Sequence, residues 1–269
     1  MSDPPGPANP PVAELLSLAG QTALVTGAGK GIGEAIARRL AEAGARVAIT
    51  DIDVTAGRAV ADGVTRAGGT ARFYPLDVAD PAQIPATIRA VLGEFGSLDV
   101  LVNNAGIFPF SPAMETPPQW WDRVFATNLR GAFFLTQAAV GWMRTAGHGS
   151  VVNVASIDAV RPAGQLAHYD ASKAGLAMLT RSLALEFAAY GVRVNAVAPG
   201  AVDTPGARVA LGGSGPVPPE LLERFLGRIP VHRMGTPDEI ARVVLFLASS
   251  MSSYITGAMI VADGGYLLA

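Results

Sequence analysis

Along this chain, short runs of β-branched and aliphatic residues alternate with longer segments whose apolar positions recur every three or four residues. The short continuous runs read as strands buried on both faces, and the longer pattern reads as helix. Residues 22–26 are the first predicted strand, followed by a helix over about 32–43 that Gly44 stops. Further strands are predicted at 46–50, 71–75 (weaker), 100–103, 150–154, 192–197 and 258–262. Two long helical segments cover about 118–145 and 169–190. Thr236-Pro237-Asp238-Glu239 has the makings of a helix start: a capping hydroxyl, proline at the first position, then two acids. Such alternation predicts an α/β fold with a doubly wound parallel sheet and ligands at the carboxyl ends of the strands. The Pro/Gly-rich stretch 204–219 is too broken for core and follows the sixth strand, so a substrate lid is expected over about 203–233.

Composition narrows the class. Half of the 269 residues are hydrophobic and 16% are charged, enough for one large α/β domain over 19–269. A net charge of −2 with no basic stripe argues against nucleic acid as a partner. The absence of cysteine excludes disulfides, zinc–thiolate sites and thiol nucleophiles, and is compatible with a cytoplasmic location. His148, His168 and His232 lack metal-ligand spacing, so no metal is expected. Five prolines among the first 11 residues, with no basic start and no apolar h-region, predict a disordered leader over 1–18 rather than a signal peptide. The longest apolar runs, such as 243–248, fall far short of the ~20 residues that span a bilayer, so no membrane association is expected.

Gly27, Gly29, Gly31 and Gly33 follow the first strand and open the first helix. Glycines there permit a tight turn and close approach of backbone to a pyrophosphate, whose charge suits the helix N-terminus. The spacing is neither G-x-G-x-x-G nor a Walker loop, and a ligand-free glycine turn would read the same way. Asp51 ends the second strand, 18 residues after Gly33. An acid there accepts from an adenosine ribose and repels a 2′-phosphate, although Asp51-Ile52-Asp53 also reads as a simple turn. Lys30, in the loop, pulls toward the phosphate; the acid stands closer to the 2′ position, so NAD is favoured over NADP.

Tyr169 and Lys173 are four residues apart on one helix face. An ammonium near a phenol favours phenolate and lowers a pKa of ~10 toward neutrality. Such a tyrosine serves as base toward an alcohol or acid toward a ketone, though the pair alone is a common surface spacing. Ser156 ends the fifth strand, where its hydroxyl projects at the ligand edge or caps a turn. Asn128 lies inside a helical segment, a poor position for asparagine unless its amide has work there.

Taken together, these residues resemble the short-chain dehydrogenases/reductases. The likeness runs from about Ala19 to Tyr266 and rests on Thr26 through Gly33, Asn103-Asn104-Ala105-Gly106, Asn128, Ser156, Tyr169 to Lys173, Asn195, Pro199-Gly200, Thr256-Gly257 and Asp263-Gly264-Gly265. The resemblance implies a Rossmann-type seven-stranded sheet in the order 3-2-1-4-5-6-7, and a catalytic tetrad of Asn128, Ser156, Tyr169 and Lys173. It implies cofactor contacts from Gly27, Lys30, Gly31, Ile32, Gly33 and Asp51. Asp77 and Val78 would meet adenine, and Asn104 would line the cleft. Tyr169 and Lys173 would lie at the nicotinamide end, Lys173 on its ribose. Pro199, Gly200, Val202 and Thr204 would meet the carboxamide and phosphates. Asn128 would hold a water linking Lys173 to solvent. Members are usually homotetramers or homodimers.

The leading expectation is therefore NAD-linked hydride transfer with a secondary alcohol or ketone as the small-molecule substrate. An NADPH-dependent ketone or 3-oxoacyl reductase is the alternative, and a non-catalytic nucleotide-binding protein is a third. Asp158 follows the serine closely enough to meet a polyhydroxylated substrate, or else pairs with Arg161.

Overall fold

A computed structural model of the protein describes residues 9–212 and 219–269. Seven parallel strands form one sheet: β1 (Thr22–Thr26), β2 (Arg46–Asp51), β3 (Thr70–Pro75), β4 (Val100–Asn103), β5 (Gly149–Val154), β6 (Val192–Pro199) and β7 (Met259–Ala262). Their order is β3-β2-β1-β4-β5-β6-β7, all parallel, as expected. The order reverses between β1 and β4, which opens the crevice where ligands of such sheets sit. The helices are α1 (Val12–Leu16), α2 (Gly31–Glu42), α3 (Val54–Arg66), α4 (Ile84–Phe95), α5 (Pro118–Phe125), α6 (Gly131–Ala146), α7 (Ala167–Phe187), α8 (Pro205–Gly212), α9 (Pro219–Leu226) and α10 (Pro237–Ala248).

Alternation along the strands divides the core in two. Val25, Val47, Ile49, Val102 and Val152 pack with Ile36 and Leu40 of α2, Val60 and Val64 of α3, and Val244 and Leu247 of α10. Leu24, Ala48, Leu101, Val151 and Val194 point the other way, onto Ile88 and Val91 of α4, Leu135 and Met143 of α6, and Leu183 of α7. With both faces covered, the central strands are mostly apolar, and the polar residues they carry, such as Asn103, Asn153 and Asn195, are buried and hydrogen-bonded. The predicted start of α10 carries a full capping box, Thr236 and Glu239 each bonding the other's backbone N–H. Asn195 fixes β7 beside β6: its amide donates to Ile255 O at 2.8 Å and accepts from Ala258 N at 3.0 Å.

Three expectations change. The segment over 118–145 is not one continuous α-helix, because residues Ala126–Arg130 form a π-helical turn between α5 and α6, with Asn128 at its centre. Within the expected leader 1–18, residues 1–8 lie outside the described residues, while 12–18 are docked on the domain. Val12–Leu16 is helical, Ser250 Oγ donates to Leu15 O at 2.8 Å, and the fully buried Leu18 donates to Ala43 O at 2.7 Å. Leu18 thus brings enough apolar surface to order the chain ahead of β1. Of the lid stretch, 213–218 lie outside the described residues; the flanking parts are the helices α8 and α9.

Candidate active site

The glycine loop joins β1 to α2 at the crevice. Gly27 and Gly31 both have φ near +60°, a conformation that side chains resist. A Cβ on Gly27 would stand 2.8 Å from Ala105 Cα, and one on Gly33 would run into the Gly27 carbonyl and the Asn104 amide. The loop is held by side chains from both neighbours in the sheet. Asn104 Nδ2 donates to Thr26 O (2.8 Å) and Gly27 O (2.9 Å), and Thr26 Oγ1 accepts from the backbone N–H groups of Asn104 and Ala105. Asn104 therefore braces the loop with its side chain. Ile32 is turned into the core cluster, and Lys30 is exposed.

Asp51 reaches under the loop: Oδ2 accepts from Gly29 N at 2.8 Å and Oδ1 from Asp53 N at 2.9 Å. It is thus a turn acid and a loop anchor at once, with its carboxylate fixed against the glycine loop. Across the crevice, Asp77 Oδ1 accepts from Ala79 N, while Val78 is buried and its carbonyl packs against Gly131 at the start of α6. Thr204 comes over the loop, its methyl 3.4 Å from the position of a Cβ on Gly31, and its Oγ1 caps α8 by accepting from Ala207 N. Pro199 ends β6 opposite Ala262, Gly200 is pressed against Asp263, and Val202 is buried where it bridges to Gly235. The cradle closes only around glycine at Gly27 and Gly33, lies at a helix N-terminus and has an acid beside it at the end of β2, so it fits a nicotinamide dinucleotide.

The second half of the site lies where β5 ends against α7. Lys173 is buried, its ammonium donating to Val154 O at 2.7 Å and standing 5.7 Å from the Tyr169 ring centre. Burial lowers its pKa to about 8, with Asp158 acting in the opposite sense. Asn128 is buried; its Oδ1 accepts from Ile107 N and its Nδ2 donates to Ile107 O, both at 2.9 Å, and to Ser172 Oγ at 3.1 Å. The amide expected to be busy is fully occupied, and a π-helical turn accommodates it within the helical segment. Gly106 packs beside both groups: a Cβ there would sit in ordinary contact, 3.4 Å from Asn128 Oδ1 and 3.5 Å from Lys173 Nζ.

Tyr169 is partly buried with Phe108 edge-on, the ring centres 5.8 Å apart. Its phenol departs from the sequence expectation. Burial pushes its pKa well above that of an ordinary tyrosine, Asp158 and Asp170 push it further, and only the adjacent Ser156 hydroxyl pulls it down. Lys173, 5.7 Å from the ring centre, does not offset this desolvation, and the free protein holds a neutral phenol. Ser156 Oγ donates to Asp158 Oδ2 and accepts from Asp158 N, each at 3.1 Å. The expected alternative partner of Asp158 is absent: Arg161 instead donates to Tyr266 O (2.9 Å) and Ala269 O (3.0 Å) and covers the Tyr266 ring.

Ser172 was missed at the sequence level. Fully buried, it donates to Tyr169 O at 2.7 Å and accepts from Asn128, linking two members of the predicted tetrad. Its position inside Tyr169-Asp170-Ala171-Ser172-Lys173, three residues after the tyrosine and therefore on the same helix face, was the available signal.

A parallel sheet with this order, a glycine cradle at its switch point and a Ser–Tyr–Lys cluster beside it define a dinucleotide-dependent oxidoreductase architecture. The family model described as Enoyl-(Acyl carrier protein) reductase matches residues 27–267, and the chain belongs to the short-chain dehydrogenase/reductase family. It is similar to 4-formylbenzenesulfonate dehydrogenase TsaC1/TsaC2 of Comamonas testosteroni, with 44% identity over 251 residues covering 93% of this chain and 99% of that protein. A gluconate 5-dehydrogenase from Burkholderia cenocepacia, solved with NADP and tartrate, superposes with a TM-score of 0.90 at 34% identity over 96% of this chain and 99% of that one. A 7α-hydroxysteroid dehydrogenase, solved with NADH and 7-oxo glycochenodeoxycholic acid, gives 0.89 at 32% identity, covering 94% and 96%.

Proposed function

We propose that the protein transfers hydride between NAD(H) and a secondary alcohol or ketone, with Tyr169 as the proton-transfer residue. The observation that carries this reading is the convergence of Asn128, Tyr169 and Lys173 around Gly106 and Ser156, beside a loop that only glycine can form. Gly27, Lys30, Gly31, Ile32 and Gly33 bind the pyrophosphate, Asp51 the adenosine ribose, Asp77 and Val78 the adenine, and Pro199, Gly200, Val202 and Thr204 the nicotinamide half. NAD⁺, when bound, supplies the hydride acceptor and a positively charged ring near the phenol.

Ser156 turns its hydroxyl toward the substrate oxygen and fixes it beside Tyr169, which removes the hydroxyl proton in oxidation and returns it in reduction. Lys173 holds the nicotinamide ribose and, charged below about pH 8, stabilises the phenolate once the cleft is filled. Asn128, its side chain spent on Ile107 and Ser172, keeps the π-helical turn open beside Lys173, the position from which a water connects the lysine to solvent. The test is Tyr169→Phe: the NADH dissociation constant should stay within about threefold while kcat falls by ~10³ or more. Activity within tenfold of wild type would remove Tyr169 from this role.

Reduction is a second reading with an observation of its own. The neutral phenol of the free protein is the form that protonates a ketone oxygen, and the exposed Lys30 is available to a 2′-phosphate. Asp51 stands against it, fixed on Gly29.

We also read the groove lined by Phe125, Leu129 and Phe133 of the α5–α6 segment and Gly175, Met178 and Leu179 of α7 as the contact for a second copy of this chain. Its apolar floor continues onto exposed Trp121 and Met178 on the two long helices. Light scattering should give a dimer or tetramer, and Met178→Asp should shift it toward monomer; a wild-type monomer at micromolar concentration contradicts the assignment.

A further inference from the structure

We propose that Asp158 is a specificity residue that accepts a hydrogen bond from a hydroxyl next to the reacting carbinol, making the substrate a vicinal diol or polyol. The inference rests on the alcohol–ketone reading above and adds the substrate class to it.

A serine hydroxyl has one proton to give. In the free protein Ser156 gives it to Asp158 Oδ2. In turnover the same proton must point at the substrate oxygen, and Asp158 then loses its side-chain donor. The surroundings offer no replacement among the described residues. Arg161 turns away to the C-terminal turn at Tyr266 and Ala269, His168 Nε2 meets Pro109 O, and Lys173, which directs one N–H to Val154 O, is not within 4 Å of the Asp158 carboxylate. Asp170, the other nearby acid, can only repel. Burial already raises the Asp158 pKa, so an acceptor left without a donor there is unfavourable.

Geometry names the group that fits. Ser156 Oγ and Asp158 Oδ2 are 3.1 Å apart, one hydrogen-bond length, and the two oxygens of a gauche vicinal diol are separated by a similar distance. A diol can therefore present one oxygen to Ser156 and Tyr169 and donate from its neighbour to Asp158. A mono-alcohol satisfies only the first, and sites built to bond a substrate hydroxyl reject analogues that lack it.

The experiment measures kcat/KM with NAD⁺ and with NADP⁺ on matched pairs: cyclohexanol against cis- and trans-1,2-cyclohexanediol, and 2-butanol against 2,3-butanediol. Wild type should favour the better diol of each pair by ~10²-fold or more, and Asp158→Ala should collapse that ratio below ~10. The backbone N–H of Asp158, not its side chain, caps on Ser156, so the turn survives truncation; an NADH titration of the variant checks this directly. A wild-type ratio near one, or a ratio unchanged by Asp158→Ala, overturns the Asp158 assignment while leaving the oxidoreductase reading intact. Turnover of none of these alcohols by wild type with either cofactor overturns both.

Discussion

Between β1 and β2 the cleft is made of backbone: glycines with positive φ, a carbonyl and an amide too close for any Cβ, and Asp51 bonded to a peptide N–H. Between β5 and α7 it is made of side chains, with Lys173, Asn128 and Ser172 almost wholly buried and bonded to one another or to carbonyls. In the first region sterics choose the residue, and a substitution either fits or does not. In the second, desolvation sets the chemistry, and a substitution can leave the shape intact while changing which proton moves. The difference teaches that binding and turnover should be separable by mutation.

The largest expected effect comes from the side-chain region, where Tyr169→Phe should cost ~10³-fold or more in kcat with little change in cofactor affinity. The backbone region should respond in the opposite sense. Gly33→Ala places a methyl against the Gly27 carbonyl and the Asn104 amide, so thermal denaturation should show a loss of about 1–3 kcal/mol and NADH binding should weaken at least tenfold. A Gly33→Ala protein that binds NADH normally would end the claim that this cradle admits only glycine. Asp51→Ala sits between the two. Removing the carboxylate relieves repulsion of a 2′-phosphate, and the NADP/NAD ratio of kcat/KM should rise on the order of 10–100-fold. An unchanged ratio would reduce Asp51 to the loop anchor seen at Gly29.

The smallest effect is in stability. The Lys173 pKa is about 8 in the folded protein and 10.5 in the unfolded chain, so between these values the unfolded chain holds more protons. The stability contribution of this group is therefore complete above 10.5 and lost as pH falls through about 8. Across that window, urea denaturation of wild type should gain about 1–3 kcal/mol relative to Lys173→Met. Parallel curves would mean that the ammonium is solvated.

The strands were legible because doubly covered β-structure is rich in apolar residues, and the closeness of Tyr169 and Lys173 was legible because helical spacing survives in sequence. Thr22–Thr26 and Val100–Asn103 match their predicted bounds, and the ends of the other strands fall within two residues of theirs. The π-helical turn was not legible as such. Asn128 signalled an irregularity, but which backbone hydrogen bonds yield depends on Ile107 and Ser172, which come from elsewhere in the chain. The state of Tyr169 was hidden for a similar reason. Four-residue spacing announces Lys173, whereas the dominant influence is burial, with Asp158 and Asp170 adding to it. The docked Leu18 was masked by the proline-rich stretch before it.

The account's central claim, an NAD(H) site with Asp51 deciding the cofactor, is tested most directly by fluorescence titration of the wild-type protein with NADH and NADPH side by side. The account predicts at least tenfold tighter binding of NADH, reduced or reversed in Asp51→Ala. Equal affinities, or tighter NADPH binding, would contradict it and make Lys30 the residue that decides.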